Sequence, residues 1–231
     1  VNTTTTEIQS INSFNSFYPM EVCATAAETK SLVDRSSRKD FILFPEDRLN
    51  PIRMPSTLPY RWIQKGPVPK FSGRAARGEA YSFQLGLYAL QQTDAIELIF
   101  SDLTNSKGGS IPAENLSCVN TSGIDYKGQS FSKKITVAAN QVQALWCLAA
   151  IPASAKTGTY TGKLVVKAAQ AKPYTITLSI TVTDQLLADG GISEPWKQTR
   201  LHWLNSTLFQ ENTVIDPYIP IQVEGNTLSF L

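Results

Sequence analysis

Hydrophobic and polar positions alternate with period two through most of residues 76–182. Tyr81, Phe83, Leu85, Leu87 and Ala89 occupy one side of an extended run, with Ser82, Gln84, Gly86 and Tyr88 on the other. Residues 174–183 repeat the pattern more cleanly, Ile176, Leu178, Ile180 and Val182 facing inward against Thr and Ser. Residues 96–100, 116–119, 134–137, 142–149 and 159–167 read as further strands, the last with Tyr160, Lys163 and Val165 set among small residues. Lys107-Gly108-Gly109, Lys127-Gly128 and the loop 152–158 separate them. Short strands with turn signals at this spacing predict an all-β fold, an antiparallel β-sandwich of the immunoglobulin or jelly-roll kind, over residues 76–185. Its expected core is Phe83, Leu85, Leu87, Leu98, Phe100, Trp146, Leu148, Val165, Ile176, Leu178, Ile180 and Val182.

The flanks read differently. Residues 1–16 are rich in Thr, Ser and Asn and are expected to be a disordered tether. Residues 17–75 are expected to be an irregular, Pro-rich segment packed on the sandwich, not an independent domain. Within it, Thr25 and Glu28 have the form of a capping box, which predicts a short helix over 25–35. Phe41 to Phe44 predicts a short strand stopping at Pro45, and prolines at 45, 51, 55, 59, 67 and 69 predict an ordered loop beyond it. After Val182, Asp189-Gly190-Gly191 marks a linker, and Glu224-Gly225-Asn226 a hairpin turn. Residues 186–231 are therefore expected to be a linker and the start of a following, truncated β domain.

Composition narrows the function classes. Charged residues make up 17% of the chain and the net charge is +2, with basic residues scattered, so nucleic acid is not an expected partner. The longest apolar run, residues 144–153, is too short to span a bilayer, which takes ~20 residues. Cys23, Cys118 and Cys147 show no metal-ligand spacing. They read as buried free thiols, with a Cys118–Cys147 pair left open.

Candidate chemistry is thin. Glycoside hydrolysis needs two carboxylates facing each other across a bond. The nearest approaches are Glu46/Asp47 and Glu211/Asp216. The first pair, beside Arg48 and Arg53, reads as a structural ion-pair network, and Asp216 before Pro217 as a turn opener. His202 is the only histidine and has no nucleophile elbow near it. No catalytic residue, metal site or cofactor is expected. Of the tryptophans, Trp146 reads as core, whereas Trp62, Trp196 and Trp203 are the candidate ligand-binding residues, as rings for glycan stacking or for interdomain packing. Asn115, Asn120 and Asn205 each open a glycosylation pattern of a kind that is common by chance.

Several motifs resemble one family. Ala76-Arg77-Gly78-Glu79-Ala80-Tyr81-Ser82-Phe83-Gln84 resembles the strand A-x-x-E-x-x-S-F-Q that opens the N-terminal β-sandwich of glycoside hydrolase family 123-like secreted bacterial proteins. Residues 152–166, of the form P-x(5)-G-x-Y-x-G-x-L-x-V, resemble a late hairpin of that domain. Phe44-Pro45-Glu46-Asp47-Arg48, Pro51-Ile52-Arg53-Met54, Leu58-Pro59-x-Arg61-Trp62-Ile63 and Arg200-Leu201-His202-Trp203-Leu204-Asn205-Ser206 resemble other parts of it. The resemblance runs from about residue 17 to 231. It implies a secreted, periplasmic or cell-surface protein acting on amino-sugar-containing glycans, with its catalytic carboxylates in a (β/α)-barrel beyond the sandwich. This chain has no room for that barrel, so no catalytic residue is carried over. The expected role is a non-catalytic accessory sandwich whose partners are following domains of the same polypeptide. The alternatives are a carbohydrate-binding module in its own right and a structural or adhesive cell-surface domain.

Overall fold

The structure is a computed structural model that describes residues 21–211 and 213–229; the expected tether at residues 1–16 lies outside them. Helix α1 (Ala26–Arg35) begins at the capping box, where Thr25 Oγ1 accepts the Glu28 N–H at 3.3 Å and Glu28 Oε2 accepts the Thr25 N–H at 2.8 Å. Strand β1 (Phe41–Asp47) runs through Pro45 instead of stopping before it. It is an edge strand, where a proline costs no second ladder. Helix α2 (Tyr60–Lys65) and strand β2 (Lys70–Arg77) occupy the stretch expected to be loop. Then follow β3 (Ala80–Ala89), β4 (Thr93–Phe100), β5 (Leu103–Thr104), β6 (Ser110–Ile111), β7 (Leu116–Cys118), β8 (Ser122–Ile124), β9 (Ser130–Ser132) and β10 (Ile135–Val137). The long strands β11 (Val142–Ala150), β12 (Gly158–Lys167) and β13 (Tyr174–Leu186) complete the sandwich. Three 3₁₀ turns, Pro195–Lys197, Thr199–Asn205 and Leu208–Gln210, lead to the hairpin β14 (Gln222–Glu224) and β15 (Thr227–Ser229).

One sheet has the order β1-β3-β11-β7 and the other β10-β4-β12-β13-β2, with β5 and β6 attached beside β12. The pairings are antiparallel except one: β2 lies parallel to β13, Lys70 opposite Thr177 through Ala75 opposite Val182. Parallel neighbours need a long crossover, and more than ninety residues of chain separate these two.

The core between the sheets contains Tyr81, Phe83, Leu85 and Leu87 from β3, Tyr160, Leu164 and Val166 from β12, and Ile176, Leu178, Ile180 and Val182 from β13. Three expected members stand elsewhere. Trp146 is half-buried on the far side of β11, because Leu145, Cys147 and Ala149 point inward and alternate residues point apart. Leu148 shares that far side and is buried outside the inter-sheet core. Val165 faces away because the inward phase of β12 is set by Tyr160, and the continuous run Leu164-Val165-Val166 hides that phase in the sequence. Leu98 and Phe100 pack against the core while partly exposed.

A second apolar layer covers the outer face of the first sheet. Ala24, Leu32, Leu58 and Trp62, from residues 21–66, close over Ile42, Phe44, Tyr88 and Val142. This explains why Phe41-Ile42-Leu43-Phe44 is apolar without alternation: Phe41 and Leu43 enter one core, Ile42 and Phe44 the other.

Candidate functional site

The outward row of β3 organises everything packed on this face. Its first member, Ser82, donates through Oγ to the Lys197 carbonyl at 2.8 Å. Gln84 accepts the Ile52 N–H on Oε1 at 2.8 Å, and its amide nitrogen reaches the carbonyls of Asp47 and Asn50. Gly86 is the floor under Trp62, where a Cβ would stand 2.1 Å from Cη2 of the ring. Tyr88 belongs to the apolar layer beneath α1. Four consecutive outward positions thus hold four separate pieces of chain, from the N-terminal segment to the segment after the sandwich.

Ion pairs seal the same seams. Arg48 and Glu79 are paired and buried, and Glu79 also accepts the Ala76 N–H on its other oxygen at 2.7 Å. The Arg48 guanidinium lies 4.6 Å from the Tyr81 ring centre and 5.1 Å from that of Trp196, which holds the segment after the sandwich against β3. The Tyr81 hydroxyl donates to Asp47 Oδ2 at 2.9 Å; burial, then that carboxylate, push its titration upward. Lys197 is buried, with Nζ 2.6 Å from Glu194. On the other side of β1, Glu46 Oε2 accepts Trp62 Nε1–H at 2.8 Å and Arg61 Nε–H at 3.1 Å, and Arg61 also pairs with Glu21. Burial holds the Glu46 carboxyl above the usual range, against the pull of the Trp62 N–H and Arg61.

Two clefts border this network. One, of about 360 Å³, is lined by Arg48, Arg74, Glu79, Glu194, Trp196 and Lys197. The other, of about 340 Å³, lies between β1 and α2 beside Glu46 and Trp62. In the first, the acids Glu79 and Glu194 are each committed to a cation of the same wall, and Asp47, which also lines it, accepts the Tyr81 hydroxyl and the Leu49 N–H. In the second, Glu46 is committed to Arg61 and Trp62. Glu46 and Asp47 leave opposite faces of β1, one toward Trp62 and the other toward Tyr81, so they do not face each other across a common gap. Glu211 and Asp216 stand exposed after the sandwich. His202 is half-buried in its 3₁₀ turn, its Nδ1 against the Thr199 carbonyl at 2.5 Å. Among the described residues there is no group of three His, Cys, Asp or Glu side chains arranged to hold a metal.

The three candidate tryptophans do not converge. Trp62 is 2% exposed, and its ring stacks on Phe44 at 4.4 Å and 6°. Trp196 is half-buried against Arg48 in the wall of the first cleft. Trp203 is 49% exposed, with Arg200 over its ring at 5.4 Å. The amides of Asn120 and Asn205 are engaged: Asn120 Oδ1 accepts the Trp146 N–H at 2.7 Å and Asn205 Oδ1 the Ile124 N–H at 3.2 Å. Lys197, Ser82 and Tyr81 were not singled out by sequence reasoning. The E-x-x-S-F-Q spacing contains the signal, since Glu79 stands just before β3, and Ser82 and Gln84 interrupt a strand otherwise built of apolar and small residues.

Exposed apolar side chains are concentrated after the sandwich. Leu204, Leu208, Ile215, Tyr218, Ile221 and Val223 are all exposed, like Trp203 before them. This segment is rooted in the buried network at Lys197 and braced by the β8–β9 hairpin through Ile124 and Asn205.

No protein-family model matches the sequence, and no curated protein matches it. Among solved structures the chain has a distant similarity to a family 123 glycoside hydrolase from Clostridium perfringens described for glycolipid glycan hydrolysis, at 18% identity and a TM-score of 0.49. That alignment covers 64% of this chain and 28% of the hydrolase, so this chain spans well under a third of it. A PapD-like domain of human CEP192 aligns at 9% identity and a TM-score of 0.36, covering 65% of this chain and 91% of that one. The GspB Siglec domain aligns at 12% identity and a TM-score of 0.25, covering 73% and 77%.

Proposed function

We propose that this chain is a non-catalytic accessory β-sandwich of a larger, secreted glycan-processing protein. Its role is to hold and orient a neighbouring catalytic domain that acts on amino-sugar-containing glycans. The observation that carries this reading is the contrast along the C-terminal segment. Its root, Lys197, is locked into the sandwich by Ser82, Glu194 and the Arg48–Glu79 pair, while Trp203, Leu204, Leu208, Ile215, Tyr218 and Ile221 beyond it are exposed to solvent. A rigid root carrying an exposed apolar surface suits docking onto a further domain. The glycan assignment rests on the family-like motifs, whose polar residues Glu46, Arg48, Arg61, Glu79, Ser82 and Gln84 are the ones that seal this face. Purified chain incubated with aryl N-acetylgalactosaminides and N-acetylglucosaminides is expected to release no aryl alcohol above background. Turnover that disappears on Glu46→Gln or Glu211→Gln would overturn the reading.

One observation favours a second reading, a carbohydrate-binding module. The Trp203 ring is half-exposed and has the aromatic face that a pyranose needs. Retention of the chain on a glycan array, lost on Trp203→Ala, would select it.

A further inference from the structure

We infer that Cys118 and Cys147 are a built site for a cross-strand disulfide, which staples the edge strand β7 to β11. The two residues are direct partners in the β7–β11 ladder, and both side chains are buried between the sheets. The hydrogen bonds beside them fix what kind of pair this is. Val119 donates its N–H to the Trp146 carbonyl at 3.0 Å, so the adjoining pair is the bonded one. Bonded and non-bonded pairs alternate along an antiparallel ladder, which leaves Cys118 and Cys147 at a non-bonded position. There Cα atoms stand ~4.5 Å apart and side chains approach most closely. A disulfide requires Cα separations of ~4.4–6.8 Å, so no strand has to move for the bond to form.

The electrostatics divide the labour between the two sulfurs. The hydrogen bond from Cys147 holds the Cys118 thiol down to about 7, while burial pushes Cys147 well above the usual thiol range. Cys118 also lies on the short edge strand β7, whereas Cys147 lies on the interior strand β11, so Cys118 is the attacking thiolate and Cys147 the resolving thiol. With a small-molecule disulfide as oxidant, Cys118 attacks one sulfur and expels a thiolate, leaving a mixed disulfide. Cys147 then gives its proton to a departing thiolate and displaces the second one. The products are one protein disulfide and two reduced small thiols. Access comes through β7 itself, a three-residue strand at the sheet edge, the kind of element that opens locally. Cys23, on the far side of the first sheet against Leu58 and Pro59, has no part in the pair.

The test is to incubate the folded, reduced chain with oxidised glutathione, quench, unfold and count alkylatable thiols. The count should fall from the three of the sequence to one. The intact mass should fall by two hydrogen atoms, and a digest should contain a peptide joining Cys118 to Cys147. Cys23→Ser should lose both thiols in the same way. Cys147→Ser should instead stop at a glutathione adduct on Cys118. Three reactive thiols after oxidation, a crosslink through Cys23, or a glutathione adduct persisting in the unmodified sequence would each overturn the inference. All these readouts are independent of what the chain binds.

Discussion

Arg48 and Glu79, 31 residues apart in sequence, form an ion pair whose side chains are 6% and 1% exposed. A charge so buried is tolerable only with its partner. The pair also touches each segment that meets at this corner. Arg48 stacks against Tyr81 of β3 and Trp196 of the outgoing chain, and Glu79 caps the turn from β2 to β3 through the Ala76 N–H. Glu79→Gln is expected to lower the unfolding free energy by about 3–5 kcal/mol, because it strands the guanidinium. Replacing both residues, as Arg48→Met with Glu79→Leu, should restore most of that loss. Urea unfolding with an unchanged m-value measures both; a loss under about 0.5 kcal/mol for the single variant would refute the assignment.

Gly86 is held to a hydrogen atom by Trp62. A methyl group there would lie 2.1 Å from Cη2 and 2.7 Å from Cζ2, and the ring has nowhere to go while stacked on Phe44. Gly86→Ala should cost about 1–3 kcal/mol, the usual range for overpacking. In a Trp62→Leu background the same change should cost far less. Thermal unfolding of the four members of this cycle gives the coupling energy directly.

The turn that leaves the sandwich is pH-sensitive through Asp189. Its carboxylate accepts the Ser193 N–H at 2.9 Å and the Gly191 N–H at 2.8 Å; a hydrogen bond from the Ser193 side chain, then these two N–H groups, lower its pKa from 3.8 to about 2. A depressed acid stabilises the fold above its unfolded pKa and loses that contribution as pH falls through the folded one. The Gly191 and Ser193 amide resonances should therefore hold their positions down to about pH 3 and shift together below it, with a midpoint near pH 2. In Asp189→Asn the transition should be absent.

Trp203→Ala separates docking from folding. The ring is half-exposed and braced chiefly by Arg200, so the chain alone should unfold within about 0.5 kcal/mol of the unmodified sequence. If the chain serves as the accessory domain proposed above, the same substitution made with a neighbouring domain attached should lower the unfolding temperature or loosen the relative orientation of the domains, read by small-angle scattering. Equal effects in both contexts would show that Trp203 serves only its own fold.

Strand identity was legible wherever one face is buried and the other is wet. β13 was readable for that reason, and so was α1, whose Thr25–Glu28 box is a purely local signal; β3 is buried on both faces and was readable only because Ser82 and Gln84 keep the alternation. β2 and α2 were not, because six prolines mask them and their stability comes from tertiary partners: β13 beside β2, and Phe44 and Gly86 against the Trp62 of α2. The phase of β12 was lost in Leu164-Val165-Val166, where three apolar residues in a row leave the inward side undefined. The polar seam was half legible. Charged residues at 46–48 suggested ion pairing, but their partners Arg61 and Glu79 come from chain on either side of β2 and could be assigned only once the sheet was formed.

The parallel pairing of β2 with β13 has a mechanical consequence. β13 is an interior strand, flanked by β12 along Gly158–Val166 and by β2 along Lys70–Arg77, and the outgoing segment continues from its end. A pull that reaches β13 along its axis loads both ladders in shear, so their hydrogen bonds must yield together. A strand tethered at the sheet edge would instead unzip one bond at a time. Chain beyond residue 186 is thus joined to a strand held on both sides, and through Lys197 to β3 of the other sheet as well.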